Sequence, residues 1–349
     1  MIAADQAIQR PPDAKLLFID SHRHIGHVPR STFAELLRPG DLVIANDAAT
    51  LPSSLQGVHI ESGSPIEVRL AGRPSLRSED AVRFTAVIFG EGDYKTRTED
   101  RKPPPELSSG DRLMLGPLSA RVVSLLGHAR LVSLVFDGAA DKVWAGLARH
   151  GRPIQYAHLK MPLALWDVWT SIAGLPVAFE SPSAGFILDW RTLAAIRSHG
   201  AKFATITHAA GISSTGDEEL DRLLPFDEPY RIPERTATEI SRTRSSGGRI
   251  IAVGTTVVRA LEHAATWNGE VRSGEGVATQ RLGSGSRLRM VDAILSGTHE
   301  PGTSHYELLR AFVDDATLIR TSAELESSGY RTHEFGDSVF IERVRRFED

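Results

Sequence analysis

The sequence predicts an α/β protein: a layered α/β main domain carrying an inserted small antiparallel β-barrel domain. Two observations lead there. The first is Ile250-Ile-Ala-Val-Gly-Thr-Thr256, which runs into apolar residues at helical spacing, Val257, Leu261 and Ala264. A short β-branched run reads as a strand buried on both faces, and the helix that follows completes half of a parallel unit. The second is a change of texture between Leu55 and Gly138, where short β-rich segments succeed one another with only Gly, Pro and charged turns between them. Closely spaced strands without helices between them are the pattern of a small barrel. A chain of 349 residues is long enough for two domains. The expected division is 1–56 with 151–349 for the discontinuous main domain, and 57–150 for the barrel.

Composition removes several function classes. Net charge is −4, so a dedicated electrostatic nucleic-acid binder is disfavoured, and any RNA contact must come from a local arginine patch. Cysteine is absent, which excludes disulfides, thiolate nucleophiles and Cys-ligated metal sites. No apolar run reaches the roughly 18 residues of a membrane span, and Met1 to Pro12 lacks the apolar core of a signal peptide. A cytoplasmic protein with no membrane contact is expected.

The elements follow in order. Residues 1–12 read as a loose lead-in and Ala14 to Ile19 as a strand, followed by Asp20-Ser-His-Arg-His24. Two histidines two apart on a strand point the same way, so this stretch is the best metal candidate in the chain, although a polar hairpin is the favoured reading because no third ligand cluster stands nearby. Thr32 to Leu37 reads as one or two helical turns. Leu42 to Ala45 is a strand ending in Asn46-Asp47, side chains that can hold a ligand, carry protons or cap the next turn. Ile66 to Leu70, Arg83 to Phe89, Arg121 to Leu126 and Leu131 to Phe136 are barrel strands. Ala139 to His150 is an amphipathic helix leading back to the main domain. Trp166 and Trp169 stand at i,i+3, a spacing that usually means core. Leu175 to Glu180 is a strand ending in Ser181-Pro-Ser-Ala-Gly185. Asp189 caps a helix over Trp190 to His199, and Gly200 stops it. Lys202 to Thr207 is a strand ending in His208. Residues 212–229 form a polar excursion. Pro233 to Ser245 is a helix whose Arg235, Arg242 and Arg244 are the best candidate for a basic surface, although a solvated face is the commoner reading of such a run. Trp267 to Arg287 is Gly- and Ser-rich, and its Gly283-Ser-Gly-Ser286 precedes a strand-like stretch, Leu288 to Leu295, so it is not a phosphate loop. Ser304-His-Tyr-Glu307 fits a capping box for a helix over Tyr306 to Val313. Phe335 to Ile341 is a last turn and strand.

The proposed strands end in Asn46–Asp47, Ser181–Ser183, His208, Gly254–Thr256 and His299. Open α/β sheets bind ligands outside the carboxyl ends of their strands, so these groups are candidates for one crevice. Thr255 and Thr256 can cap the helix, and a helix N-terminus suits an anion or a ribose hydroxyl; equally, the Gly and Thr residues serve simply to make the turn. With acids and bases among them, the site looks enzymatic.

Several stretches share the wording of one family: Leu37-Arg-Pro-Gly-Asp-Leu42 with Asn46-Asp47; Pro182-Ser-Ala-Gly185; Thr207-His208 with Gly211; Glu228 with Tyr230; Ala252-Val-Gly-Thr-Thr256 through Arg259-Ala-Leu-Glu262; Val291-Asp292 with His299; and Tyr330-Arg331 with Gly336-Asp337. Over nearly the whole chain the sequence resembles the S-adenosylmethionine:tRNA ribosyltransferase-isomerase family of queuosine synthesis. The resemblance implies an α/β body with an inserted barrel. It implies transfer and isomerisation of the ribosyl part of S-adenosylmethionine onto 7-aminomethyl-7-deazaguanine in tRNA, giving epoxyqueuosine and releasing adenine and methionine. S-adenosylmethionine is then a co-substrate, with no prosthetic group and no metal. By position, Asp47, His208 and His299 are the proton-transfer candidates. Asn46, Ser183, Gly185, Glu228, Gly254, Thr255, Thr256 and Arg259 are the candidates for holding substrate, with Arg259 contacting it or pairing with Glu262 at i,i+3.

Departures accompany the matches. The family's Asn-Asp-Thr-Arg-x-x-Pro-Ala-Arg reads Asn46-Asp-Ala-Ala-Thr-Leu-Pro-Ser-Ser54, losing two arginines that can clamp phosphate or carboxylate. Ile187 stands where the family has histidine. Two alternatives stand beside the enzyme: a nucleoside- or S-adenosylmethionine-binding module without catalysis, and a metal-dependent hydrolase built on His22, His24 and His208.

Overall fold

The computed structural model describes residues 1–266 and 268–344. Trp267, where the Gly- and Ser-rich stretch begins, lies outside the described residues. The body is a nine-stranded mixed sheet. Its order is Gly274–Ala278, Glu228–Ile232, Lys202–His208, Leu42–Asn46, Ile250–Val253, Ala293–Gly297, Ser338–Glu342, Lys15–Ile19, Ile25–Pro29. The four central strands, from Lys202–His208 to Ala293–Gly297, are mutually parallel. Ser338–Glu342 then runs antiparallel to its neighbour, and Lys15–Ile19 runs parallel to it.

Continuous apolar runs make the central strands, because both their faces are covered. Leu42, Ile44, Ile250 and Ala252 face the helices Glu234–Ser245 and Thr255–Ala264. Val43, Ala45, Ile251 and Val253 face the 3₁₀ segment Arg30–Leu36 and the helix Trp190–Ser198. That helix is capped by Asp189, which accepts from the Thr192 amide at 2.7 Å.

The barrel is closed and antiparallel throughout. Its strands are Ser54–His59, Ser64–Gly72, Arg83–Phe89, Arg112–Leu115, Leu118–His128 and Leu131–Phe136. Closure removes the exposed edges that isolated strands would leave. The first strand starts at Ser54, three residues ahead of position 57. The helix Ala140–His150 places Val143 and Leu147 in the barrel core.

Several expectations are corrected. The lead-in is tied down, since Ile2–Ala3 pairs in parallel with Arg331–Thr332. The strand at Pro176–Ala178 pairs with Ala49–Thr50 in a small separate sheet and does not join the main one. Two strands lie where a polar excursion and a Gly-rich stretch were expected: Glu228–Ile232, which begins at the end of the excursion and pairs on both sides, and Gly274–Ala278, which forms the edge of the sheet. Residues 288–292 are not strand; the pairing begins at Ala293. Thr303, not Ser304, caps the helix Ser304–Leu309. Trp166 is 77% exposed and Trp169 41% exposed, so their helical spacing does not mark core here. Apart from the Thr303 cap, a local shift of one residue, tertiary pairing or burial overrode a local pattern.

Candidate active site at the carboxyl edge of the sheet

The strand Ile250–Val253 ends in Gly254, whose φ of 92° lies in the left-handed region that favours glycine. The helix Thr255–Ala264 starts at the next residue. Gly254 is itself the N-cap and supplies no side chain, so the expected threonine cap is corrected. Thr255 and Thr256 lie in the first turn, whose amides have no acceptor within the helix. A Cβ on Gly254 would sit 3.5 Å from that of Ala184, so the turn packs against the 3₁₀ segment Ser183–Ile187. Ser183, Gly254, Thr255 and Thr256 line a cavity of about 920 Å³.

Glu228 and Arg259 form the cavity's buried ionic floor. Arg259 pairs with the Glu228 carboxylate and donates to the backbone oxygens of Ala278 (2.9 Å) and Phe226 (3.1 Å). It does not pair with Glu262, which instead accepts from the amides of Arg289, Met290 and Val291. The i,i+3 expectation is therefore corrected: the buried carboxylate across the sheet wins over the neighbour on the helix. Glu228 also accepts from the Gly211 amide and lies 3.0 Å from His208 Nε2. Burial opposes its ionisation, but the charge of Arg259, then His208 and the amide, outweigh it and hold the carboxyl at about 2.

Three other candidates stand behind this floor. His208 is fully buried, and its Nδ1 lies 2.7 Å from the Thr256 carbonyl oxygen. Asn46 bridges two strands, donating to the His208 oxygen and accepting from the His208 and Ala48 amides at 2.9–3.0 Å. The Asp47 carboxylate accepts from the hydroxyls of Thr205 and Thr207, both at 2.7 Å. Asn46, Asp47 and His208 do not line the cavity, which corrects their placement in one crevice with Thr255, and the substrate candidate Gly185 does not line it either. Gly185 closes the 3₁₀ turn, its amide donating to Pro182.

His299 does line the cavity. Its Nε2 is 3.0 Å from the Ser296 hydroxyl, and its ring stacks on His305 with centroids 4.6 Å apart. Burial, then the neighbouring His305 and His333, hold its pKa well below the usual histidine range, so it is neutral near pH 7. The rest of this wall was missed in the sequence: Tyr156, His158, Glu180, His305, His333 and Glu334. Tyr156 donates to the Glu180 carboxylate, and burial pushes that carboxyl up to about 7. Only Glu180 carried a signal, as the last residue of an expected strand. The others come from segments with no shared motif.

His22 and His24 are exposed, in the turn after Lys15–Ile19. That strand runs antiparallel to the four central ones and stands five places from Lys202–His208, so the turn lies at the opposite edge of the sheet from His208. The His22–His24–His208 metal arrangement is not formed. On the helix Glu234–Ser245, Arg242 pairs with Glu239 and Arg244 reaches the Met290 oxygen. Neither lines the cavity, whose rim carries Arg97, Arg222 and Arg281. No helix among the described residues is long and apolar enough to cross a membrane.

A mixed α/β body, an inserted six-stranded barrel and a cavity with convergent polar groups beside the carboxyl ends of parallel strands define a ligand-binding α/β protein of enzyme type. The chain belongs to the queuosine biosynthesis protein family, whose sequence model matches residues 1–341. It is 31% identical to the S-adenosylmethionine:tRNA ribosyltransferase-isomerase of Gloeobacter violaceus, over 97% of this chain and 92% of that one. It is 30% identical to the enzyme of the same name from Citrifermentans bemidjiense, over 97% and 96%. The fold is similar to the crystal structure of the S-adenosylmethionine tRNA ribosyltransferase of Thermotoga maritima. That likeness has a TM-score of 0.51 at 21% identity and covers 97% of this chain and 96% of that one.

Proposed function

We propose that this chain transfers and isomerises the ribosyl part of S-adenosylmethionine onto a 7-aminomethyl-7-deazaguanine base in tRNA, releasing adenine and methionine. The observation that carries the proposal is the Gly254-Thr255-Thr256 helix start, opening beside Ser183 into a cavity of about 920 Å³. A cavity of this size holds a nucleoside-sized ligand, and free first-turn amides suit its hydroxyls or carboxylate. Membership of the family supports the same reaction.

Within this proposal Ser183, Gly254, Thr255 and Thr256 hold the S-adenosylmethionine side, and the Glu228–Arg259 pair fixes the floor. Of Asp47, His208 and His299, His299 is best supported as the proton acceptor, because it faces the cavity and is neutral. Glu180, with a carboxyl near 7, suits proton donation to the departing adenine. His208 and Asn46 position the floor, and Asp47 braces the adjoining strand. The rim residues Arg97, Arg222 and Arg281 replace the lost Asn-Asp-Thr-Arg arginines as phosphate contacts for tRNA. A cytoplasmic location follows from a tRNA substrate.

The test is incubation with S-adenosylmethionine and precursor-bearing tRNA, with free adenine as the readout. Adenine release abolished by Thr255→Val with Thr256→Val is expected. No adenine, beside a working family member as control, overturns the proposal.

A further inference from the structure

Three side chains lining the cavity, His158, His333 and Glu334, carry no direct role in the proposed ribosyl transfer. One nitrogen of each ring and one Glu334 oxygen lie within 4.8 Å of one another. The two imidazoles stack with centroids 4.2 Å apart and planes 20° apart, and His158 Nε2 lies 3.2 Å from Glu334 Oε2. His158 and the pair His333–Glu334 sit on segments 175 residues apart, so no local motif forces them together. His333 has φ 68°, in the left-handed region that non-glycine residues avoid. Strain of this kind persists where the surroundings over-determine it, and it gathers at ligand sites.

The donor chemistry narrows the ligand. Two imidazoles and one carboxylate suit zinc, iron(II), nickel or cobalt, whereas calcium and magnesium prefer shells of oxygen alone. We propose that His158, His333 and Glu334 form a binding site for a divalent transition-metal ion of the zinc class, open to the cavity at its remaining positions. Zinc–nitrogen bonds of about 2.1 Å draw donors to roughly 3.4 Å from one another, so donors at most 4.8 Å apart close by about 1.4 Å or less. Side-chain rotation supplies such a movement. Tyr156 stands behind the set, its ring parallel to that of His158 with centroids 6.3 Å apart, and it is anchored in turn on Glu180.

The experiment uses the full chain without a histidine tag, stripped with a chelator and titrated with cobalt(II). Visible d–d absorption reports coordination, and elemental analysis after zinc reloading gives stoichiometry. The expected result is stoichiometric binding. His158→Ala and His333→Ala should each weaken it by more than about 100-fold, beyond the cost of losing an outer partner. His22→Ala should leave it unchanged. Circular dichroism checks folding, and Glu334→Gln, which preserves size, is the second variant where a histidine variant does not fold. Absence of both a cobalt spectrum and retained zinc in the wild type overturns the proposal, as does binding that survives the variants at His158 and His333. Metal binding is read without S-adenosylmethionine or tRNA, so its outcome is distinct from that of the adenine assay.

Discussion

Glu228→Gln tests the floor of the cavity most sharply. The substitution keeps the side-chain shape and an acceptor for the Gly211 amide but removes the charge facing Arg259. The carboxyl sits at about 2 in the folded chain against an ordinary value of 4.5. Each factor of ten in proton affinity is worth about 1.36 kcal/mol, so the difference amounts to about 3 kcal/mol at pH 7. Breaking a buried ion pair from one side costs about 3–5 kcal/mol by an independent route, so the two magnitudes agree. The sign follows from a depressed carboxyl. Its contribution is present in full above the unfolded value of 4.5 and is lost as pH falls through about 2. Urea unfolding of wild type and variant at pH 7 should therefore differ by about 3 kcal/mol, and near pH 3 by only about 1 kcal/mol. A difference below about 1 kcal/mol at pH 7, or one that does not shrink on acidification, would refute the assignment of the Glu228–Arg259 pair as a stabilising, ionised floor.

Three further outcomes are expected. Gly254→Ala forces a side chain into φ 92°, ψ 154° and should cost about 1–3 kcal/mol in thermal unfolding, with weaker S-adenosylmethionine binding by calorimetry; an unchanged melting temperature counts against the required conformation. Glu180 has a raised carboxyl, so the stability of the protonated form is present below 4.5 and lost as pH rises through about 7; the melting temperature of Glu180→Gln should gain on wild type between pH 5 and pH 8, and a constant gap would argue against a protonated Glu180. Asn46→Ala unpairs buried backbone groups of His208 and Ala48 and should cost about 2–3 kcal/mol by urea unfolding, with a loss under 0.5 kcal/mol pointing to compensation by water.

The part of the fold that periodicity controls was legible. Ile250–Val253 is apolar at every position because both its faces are covered, and the inserted barrel announced itself by strands too close together for helices. Asp189 was readable as a cap because capping is a local hydrogen bond. The floor of the site was half legible. Glu228, Gly254, Thr256 and Arg259 were singled out, but Arg259 was offered Glu262 because a sequence displays helix neighbours and hides cross-sheet ones. Asn46 and Asp47 stand at the expected strand end; of the roles open to them, Asn46 takes the cap of the next turn through the Ala48 amide, and both also bind backbone or hydroxyl groups of the adjoining strand. The edge strand Gly274–Ala278 and its inner neighbour Glu228–Ile232 are hidden among Gly and polar residues, since an edge strand needs little apolar surface and the inner strand's Glu228 and Pro229 break the apolar run.

By itself, then, the sequence determined the layered α/β body, the inserted barrel, the family and the Gly254 turn, because each rests on residues close together along the chain. Only the tertiary structure decided which side chains share the cavity. The order of the nine strands brings Glu228 to Arg259, and the chain's return past Arg331–Thr332 lays His333 and Glu334 against His158. Those contacts are fixed by hydrogen-bonded pairing between segments tens to hundreds of residues apart, and no local spacing records them.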